Sequence, residues 1–417
     1  MAGKTSRKSR SRRLKLPATG SRGDSGRILT THVGSLIRPP KLQDFLKAQR
    51  DARPYDQAAF DACLRQSTAS VVRRQAEIGI DIINDGEYGK TISWSRYVLE
   101  RVSGFEQRGR PSHAGMPAAI VGRDRHEFAE FYAEYDRHQG FAGMTGWASI
   151  GPVRYTGHAA IRRDIANLKA AANGSKTTDL FMAAVAPASV APDRAEEYYK
   201  SDEEYLFAVA GALREEYKAI IDAGLILQVD DAYLALTYEV MVPPKTLKDY
   251  RKWAAIRIEA LNHALRGLPE ERTRYHVCWG SWNGPHVFDV EIKDIVDLIL
   301  KVQVGGYLLE MANPRHEHEW RVWERVKLPK GRALIPGVIS HATNVVEHPE
   351  LVAERIVRLA KLVGRDNLIA GTDCGFAQGP FVQRVHPSIM WAKLGTLAEG
   401  ARLASKRLWT RPAAFRG

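Results

Sequence analysis

The stretch Tyr275-His276-Val277-Cys278-Trp279-Gly280 has the pattern of a strand that runs into a glycine-containing loop. Side chains two residues apart on a strand point to the same face, so His276 and Cys278 are predicted to lie side by side. An imidazole and a thiolate on one face suit a zinc ion, and a distant cysteine with a carboxylate would complete four ligands. The same short pattern is also typical of a buried cysteine beside a hydrogen-bonded histidine. The other predicted strands help to distinguish these interpretations.

Seven further apolar segments resemble strands. Together the eight segments are Ile28–Leu36, Asp81–Gly86, Leu180–Ala186, Leu225–Asp231, Tyr275–Trp279, Tyr307–Ala312, Ala333–Ile339 and Asn367–Thr372. The helix-like segments between them include Gln57–Glu77, Glu203–Ala223, Leu247–Arg266, Ile292–Val302 and Pro349–Val363. This alternation indicates βα units and a parallel sheet. Eight units predict a single (β/α)8 TIM barrel over residues 28–417, with residues 101–178 as an insertion between strands 2 and 3.

Polar and ionisable residues gather where the predicted strands end. They are Thr31, His32, Ser35, Asp85, Glu87, Asp230, Asp231, His276, Cys278, Glu310, Ser340, His341, Asp373 and Cys374, and Gly34 precedes Ser35 in the turn after the first strand. The carboxyl ends of all strands in such a barrel converge on one rim, which is where active sites are found. Turn formation alone explains some of these residues, but it does not explain so many acids, histidines and cysteines at one rim. The sequence therefore predicts an enzyme with its active site there.

The composition is that of an ordinary globular protein, with 44% hydrophobic and 26% charged residues in a chain of 417. No apolar run is long enough to span a bilayer, so no membrane association is expected. Three cysteines are too few for a disulfide framework in a chain of this length. A reducing compartment, and hence a cytoplasmic location, is expected.

Much of the net charge of +13 comes from the amino-terminal tail. Residues 1–27 carry nine Lys or Arg and one acid. The tail has almost no large apolar residues, which predicts disorder. A basic segment of this kind can bind nucleic acid, serve as a nuclear or transit signal, or be a solvated extension. The remaining chain has no concentrated basic patch, so nucleic acid is not expected as the main ligand.

The chain contains an ordered series of motifs that resembles the cobalamin-independent methionine synthase family, specifically its catalytic barrel. The motifs are Thr31–Leu36, Arg38-Pro39, Gly79–Asp81, Asp85–Glu87, Gln228–Asp231, His276–Cys278, Glu310, Pro336–Ile339 and Asp373–Gly375. The loop from Gly280 to His286 resembles the short, single-barrel branch, which includes epoxyalkane:coenzyme M transferases. The sequence departs from the family at Ala232, where the family has a proline after two acids.

The resemblance implies a zinc (Zn2+) site. The four ligands that carry over are His276, Cys278, Glu310 and Cys374. The residues that it implies for binding an amino-acid thiol are Gly34, Ser35, Glu87 and Asp230. A catalytic histidine after strand 7 relays a proton in the family, and His341 is displaced by about one residue from that position. Glu310 is the hardest ligand, so we expect substrate sulfur to displace it.

The activity implied is zinc-dependent transfer of a methyl group to a thiol, with homocysteine as the leading acceptor and methionine as its product. The alkyl donor stays open among a methyl-folate, a methyl corrinoid and an epoxide. One alternative is alkylation of another thiol, as in an epoxyalkane:coenzyme M transferase. A second is a uroporphyrinogen-decarboxylase-like barrel, which needs no paired cysteines. A third is a non-enzymatic barrel that stores metal or is tethered to nucleic acid by its tail.

Structural roles are expected for several other conspicuous residues. His32 is predicted to be a hydrogen-bonded core histidine, and Cys63 to be a structural residue of a helix. The segment His316–Glu319 is predicted to be the solvated face of the helix that follows strand 6. Trp279 and Trp282 fit packing or lid positions, although their ring faces could also hold a flat donor.

Overall fold

The computed structural model describes residues 26–108, 121–139, 146–381 and 383–410. Its eleven strands are β1 (Leu29–Thr30), β2 (Ile82–Ile83), β3 (Phe105–Arg108), β4 (Gly146–Ser149), β5 (Asp179–Val185), β6 (Ala195–Glu196), β7 (Ile226–Asp230), β8 (Thr273–Val277), β9 (Gly306–Leu309), β10 (Ala333–Ile339) and β11 (Ile369–Thr372). Eight of them form one sheet in the order β1-β11-β10-β9-β8-β7-β5-β2. All neighbours are parallel, and a parallel bridge between Thr31 and Ile82 joins the two ends of this sheet. The predicted (β/α)8 barrel is confirmed, and each of its strands overlaps a predicted segment.

The helices of the described ranges are α1 (Pro40–Arg50), α2 (Gln57–Ile78), α3 (Arg123–Glu127), α4 (Ala129–Gln139), α5 (His158–Ala171), α6 (Asp202–Asp222), α7 (Tyr233–Met241), α8 (Leu247–Leu265), α9 (Val296–Ile299), α10 (Pro349–Val363) and α11 (Pro387–Trp409). Helices α2, α6, α8 and α10 lie where the apolar periodicity predicts them. The predicted helix Ile292–Val302 is wrong, because a 3-10 turn and the short α9 are separated at Ile295, whose φ of −133° leaves the helical region. None of these helices is long and apolar enough to cross a membrane.

The first strands of the barrel are joined below the rim by Asp81. Gly79 follows the last residue of α2, and its φ of 97°, which glycine adopts at little cost, turns the chain towards β2. The Asp81 carboxylate then accepts hydrogen bonds from the Thr30 N–H at 2.9 Å and from the Arg27 guanidinium at 2.8 Å. Arg27 is thus part of the folded unit. Residues 1–25 of the predicted tail lie outside the described residues, so the disorder of the tail and the limits of the catalytic domain stay predictions.

Apolar side chains fill the inside of the barrel and form a cluster separate from the layer between strands and helices. The buried members of this inner cluster are Leu29, Val33, Ile82, Phe181, Ile226, Ala232, Cys278, Leu308, Ile335, Ile369 and Cys374. The interior is therefore a packed core, as is usual in such barrels. Cys278 and Cys374 follow the ends of β8 and β11, so they lie where this core meets the rim.

The long segment between β2 and β5 contributes secondary structure beside the barrel. Strand β3 pairs with β4 in antiparallel fashion, and β4 pairs with β6. Helix α4 approaches the loop after β8, where Tyr132 accepts a hydrogen bond from the Trp282 indole at 2.9 Å. Residues 109–120 and 140–145 of the predicted insertion lie outside the described ranges. The role of the insertion as a pocket roof stays a prediction.

Candidate metal and substrate site

A histidine and two cysteines meet at the carboxyl end of the barrel. His276 lies near the end of β8, Cys278 follows that strand, and Cys374 follows β11. All three are buried, and one ligand atom from each lies within 4.8 Å of those of the other two. The two sulfur atoms are 3.7 Å apart. This arrangement could hold a metal ion.

The imidazole of His276 is oriented by Asp230, at the end of β7. Nδ1 of His276 lies 3.1 Å from the Asp230 Oδ1 and donates to it, because an ionised carboxylate can only accept. Nε2 is buried and has no hydrogen-bond partner among the described residues. Metal-binding histidines usually donate their second ring N–H to a carboxylate or carbonyl. The residues present therefore fit a metal ion bound at Nε2.

The two cysteines of the cluster differ in the pKa of their thiols. The hydrogen bond with Cys278 lowers the pKa of Cys374 well below the usual thiol value, whereas the same bond raises the pKa of Cys278. Ser281 Oγ lies 2.8 Å from the Cys374 sulfur and can donate to a thiolate there. Burial lowers the pKa of His276, but the hydrogen bond with Asp230 and the influence of the nearby Cys374 sulfur outweigh it and raise that pKa to about 10. The raised pKa of His276 and the lowered pKa of Cys374 correspond to an imidazolium beside a thiolate, and a metal cation could take the place of the imidazolium proton.

Glu310 lies next to this cluster but not within the group of three. It follows β9, and its Oε1 accepts a hydrogen bond from the Trp279 N–H at 3.3 Å. Its Oε2 accepts one from the Asn313 side chain at 2.5 Å. Burial raises the pKa of Glu310 well above its usual value, and the charges of Asp373 and Cys374 add to this effect. Its assignment as the fourth ligand stays a prediction.

Asp373 fixes the loop that carries Glu310. One carboxylate oxygen accepts hydrogen bonds from the Met311 and Ala312 N–H groups at 2.8 and 2.9 Å. A side chain at Gly337 would overlap Asp373, so this glycine permits the close approach of β10 and β11. Sequence reasoning gave Asp373 no role of its own. Its position next to Cys374 was the signal that it belongs to the rim.

His341 is buried after β10. Neither of its ring nitrogens has a hydrogen-bond partner within the part of the chain that the structure describes. Burial lowers the pKa of His341 to about 4, although the nearby Cys374 opposes this shift. The imidazole is therefore neutral at pH 7, and both nitrogens are available to a ligand or a water molecule.

The turn after β1 packs against the segment that follows Cys374. The Phe376 N–H donates to the Ser35 carbonyl at 2.8 Å, and a Cβ on Gly375 would overlap the Ser35 hydroxyl. Gly34 has a φ of 137°, and a Cβ on it would lie 2.5 Å from Oε1 of Glu87. The two glycines thus allow Ser35 and Glu87 to approach the cysteine-bearing rim.

Asp230 connects this turn to the cluster. The Gln228 side-chain amide donates to Oδ1 of Asp230 at 2.7 Å and also to the Val33 carbonyl. The same carboxylate oxygen pairs with His276. The predicted thiol-binding residues therefore lie in one contiguous region with the cluster of His276 and the cysteines.

Glu87 is paired with Lys90, 3.0 Å away. Burial raises the pKa of Glu87 to about 7, and Lys90 opposes this shift. Sequence reasoning missed Lys90, and the spacing of three residues from Glu87 is the signal that could have found it.

The expectation of a solvated face is wrong for His316 and Glu319. Both are buried, and the His316 ring bonds Glu319 at 2.7 Å and Asp289 at 3.0 Å. The 3-10 helix from Glu317 to Glu324 turns these two side chains inward, where His316 also packs on Trp279 with ring centroids 4.3 Å apart. His318 is exposed, as expected.

The remaining conspicuous residues have structural contacts. His32 is buried and its Nε2 lies 2.7 Å from the Gln75 side chain, as predicted for a core histidine. Cys63 is buried on α2. Trp279 and Trp282 are both buried and donate to the Val290 carbonyl and the Tyr132 hydroxyl, which favours packing over donor binding.

Known proteins share this fold and sequence pattern. A cobalamin-independent synthase catalytic domain matches residues 188–386. A methionine synthase of Sulfolobus acidocaldarius is 24% identical over 83% of this chain and 85% of its own length. A 2-hydroxypropyl-CoM lyase of Xanthobacter autotrophicus is 26% identical over 93% of this chain and 97% of its own. A B12-independent methionine synthase from Shewanella sp. W3-18-1, solved with selenomethionine, superposes with a TM-score of 0.67, at 20% identity over 92% of this chain and 99% of that one.

Over residues 188–386 the chain is similar to the catalytic domain of the cobalamin-independent synthase family. This confirms the family that the ordered motifs indicate. The matched range of the cobalamin-independent synthase domain contains all four predicted metal ligands and Asp230. Gly34, Ser35 and Glu87 lie before it, within the wider similarity to the full-length relatives. The eight-stranded parallel barrel is the fold of the Shewanella synthase of this family.

Proposed function

We propose that this protein is a zinc-dependent methyltransferase that transfers a methyl group to the sulfur of homocysteine and produces methionine. The observation that carries the proposal is the buried cluster of His276, Cys278 and Cys374, in which His276 Nε2 lacks a partner among the described residues. The match of residues 188–386 to the cobalamin-independent synthase catalytic domain and the similarity to methionine synthases support it. The substrates proposed are therefore a small thiol and a methyl donor.

Zinc is the metal proposed for this cluster, because two thiolates and an imidazole are donors that zinc prefers. Glu310, beside the cluster, is proposed as the fourth ligand and as the one that gives way to substrate sulfur. When bound, zinc would stabilise the substrate thiol as a thiolate at neutral pH. Asp230 would hold His276 in the tautomer and orientation that bind the metal.

The amino-acid part of the thiol is proposed to bind beside the turn after β1. The carboxylates of Asp230 and Glu87 would lie near the substrate ammonium in charge-assisted contacts. Backbone N–H groups near Gly34 and Ser35 would take the substrate carboxylate. These four residues lie in one contiguous region, which supports a single binding pocket.

His341 is proposed as the proton relay. The neutral imidazole accepts the proton that the thiol loses, and then delivers it to the leaving group of the donor. In the same reaction a new carbon–sulfur bond forms while the bond between the methyl carbon and the donor breaks. The low pKa of His341 and its two unpartnered nitrogens in the described part of the chain suit a group that holds a proton only briefly.

Alkylation of a different thiol is the second candidate. It is favoured by the similarity to 2-hydroxypropyl-CoM lyase over 93% of this chain. On this reading the metal cluster and the relay keep their roles, while the acceptor is a thiol other than homocysteine and the donor supplies a longer alkyl group.

A direct assay tests both candidates. Purified, zinc-loaded protein would be incubated with homocysteine and a panel of donors that contains a methyl-folate, a methyl corrinoid and an epoxide. Methionine formation from one of the methyl donors is expected. Zinc-edge X-ray absorption should show an added sulfur ligand when homocysteine is present. If the metal gains no sulfur from homocysteine or from any other small thiol, the thiol-transfer function is refuted.

A further inference from the structure

A buried lysine stands beside an acid of the proposed thiol pocket. Nζ of Lys90 lies 3.0 Å from Oε2 of Glu87, and the two side chains are only 7% and 4% exposed. The ammonium also lies 4.6 Å from the centre of the Tyr97 ring. Because both charges are withdrawn from water, this pair is screened much less than a surface ion pair.

The backbone fixes Lys90 and Glu87 together. Nη2 of Arg38 donates to the carbonyl oxygens of both residues, at 2.6 Å to Glu87 and 2.9 Å to Lys90. The Lys90 N–H also donates to the Glu87 carbonyl at 3.1 Å. Glu87 adopts a φ of 61°, a conformation that costs a non-glycine residue energy and persists where the surroundings hold it. The turn therefore presents carboxylate and ammonium as a preformed pair.

The second acid of the pocket also has protein partners. Asp230 accepts hydrogen bonds from the Gln228 amide and from His276. A substrate ammonium that reaches this pocket does not meet two unpaired carboxylates. It competes with Lys90 for Glu87 and shares Asp230 with two existing donors. Exchanging one cation for another at a buried carboxylate brings little net stabilisation, since the incoming ammonium must also lose its water.

Resting on the proposed function, we infer that Lys90 is a specificity-determining residue of the thiol pocket. The Lys90 ammonium pairs with the Glu87 carboxylate at the position where a substrate ammonium would otherwise bind. The pocket therefore accepts carboxylate-bearing thiols with or without an amino group. The substrate class is thus wider than amino-acid thiols, and homocysteine is one member of it.

The test compares homocysteine with 4-mercaptobutyrate, which differs from it only by the missing amino group. Both thiols are titrated into zinc-loaded protein, and zinc-edge absorption reports the added sulfur. The measurements run from pH 7 to 9, because a buried carboxylate tends to take up a proton when its cation is removed. In the wild type the two affinities are expected to differ by less than about tenfold, since the amino group makes little net contribution.

The variant Lys90→Met removes the internal cation and keeps the length of the side chain. Its preference for homocysteine over 4-mercaptobutyrate should rise by about tenfold or more in at least part of the pH range, because one charge-assisted hydrogen bond is worth that much. Lys90→Gln, which retains a donor for Glu87 and is less disruptive to folding, should shift the ratio in the same direction. Lys90→Arg and Lys47→Met are the controls and should leave the ratio unchanged; the Lys47 side chain is half-exposed on α1.

The outcomes separate the two proposals. An unchanged ratio in both Lys90→Met and Lys90→Gln overturns the inference about Lys90, while sulfur coordination by homocysteine leaves the proposed function standing. A wild-type preference for homocysteine of about a hundredfold also overturns the inference, because it would mean that Lys90 does not compete with the substrate ammonium. If neither thiol coordinates the metal in the wild type, the proposed function fails and the inference fails with it.

Discussion

His276 and Asp230 form a hydrogen-bonded pair at the barrel rim, with Nδ1 of the imidazole 3.1 Å from a carboxylate oxygen. The pair joins two parts of the site, since His276 belongs to the cluster with the cysteines and Asp230 lies in the region proposed to bind substrate. A change at Asp230 is therefore expected to act on both the metal and the thiol. The two effects can be distinguished because they depend on different properties of the side chain.

The variants Asp230→Asn and Asp230→Ala should differ in their affinity for zinc. Both should bind the thiol more weakly than the wild type does. The amide oxygen of asparagine can still accept the His276 N–H, whereas alanine cannot, and loss of such a partner typically lowers metal affinity about 10–100-fold. Both variants lose the negative charge, so homocysteine affinity should fall roughly ten- to a hundredfold. Chelator competition measures the zinc affinity, and zinc-edge absorption measures the thiol. Equal zinc affinity in both variants would show that His276 does not depend on this hydrogen bond.

Cys278→Ser and Cys374→Ser should each lose most of the bound zinc, because each removes a thiolate donor. Wild-type protein should carry about one zinc per chain, as a four-ligand site holds a single ion. Cys63→Ser is the matched control, since Cys63 is a buried cysteine on α2 and should not affect metal content. Metal analysis of the purified variants provides the measurement. Full zinc occupancy in both rim variants would exclude the assignment.

His341→Gln should slow turnover while leaving metal and thiol bound. Glutamine keeps polar atoms in the buried position but cannot relay a proton, and loss of such a group typically costs about a hundredfold or more in rate. Steady-state kinetics with the active donor measure the turnover rate. Zinc-edge absorption with homocysteine shows whether the metal and the thiol stay bound. His318→Gln, at an exposed position, is the control. A normal turnover rate in His341→Gln would remove His341 from the mechanism.

Deprotonation of the buried Glu239 should lower the free energy of unfolding as the pH rises. Burial raises the pKa of Glu239 to about 7; the hydrogen bond from the Asp124 N–H opposes this shift, and the charges of Asp124 and Asp289 add to it. The folded state thus holds a proton that the unfolded chain releases near its ordinary pKa of 4.5. The stability contributed by this proton is present below pH 4.5 and is lost as the pH rises towards 7.

Glu239→Gln removes this titration and keeps an oxygen that accepts the Asp124 N–H. Relative to the wild type, the variant should gain about 2 kcal/mol in the free energy of unfolding on going from pH 5 to pH 8. Denaturant unfolding at the two pH values measures it, with the exposed Glu259→Gln on α8 as control. A difference between variant and wild type that is the same at both pH values would mean that Glu239 does not titrate in this range.

The sequence determined the elements of the fold and most of the residues at its rim. Apolar periodicity is a local property, so eight strands and the helices α2, α6, α8 and α10 could be found from it. The two-residue spacing of His276 and Cys278 placed them on one side of the chain for the same reason. The helix expected over 292–302 failed because the chain leaves the helical region at Ile295, which local periodicity does not reveal.

Only the tertiary structure decided which polar groups meet. Asp230 and His276 are 46 residues apart, and Cys278 and Cys374 are 96 apart, so closure of the barrel is needed to bring each pair together. The 3-10 helix after β9 buries His316, although its charged neighbours predict a solvated face. The pairing of Glu87 with Lys90 likewise depends on a turn that Arg38 holds from another part of the chain. Burial and pairing of charges depend on the surroundings that the whole fold creates, and a single sequence records those surroundings only indirectly.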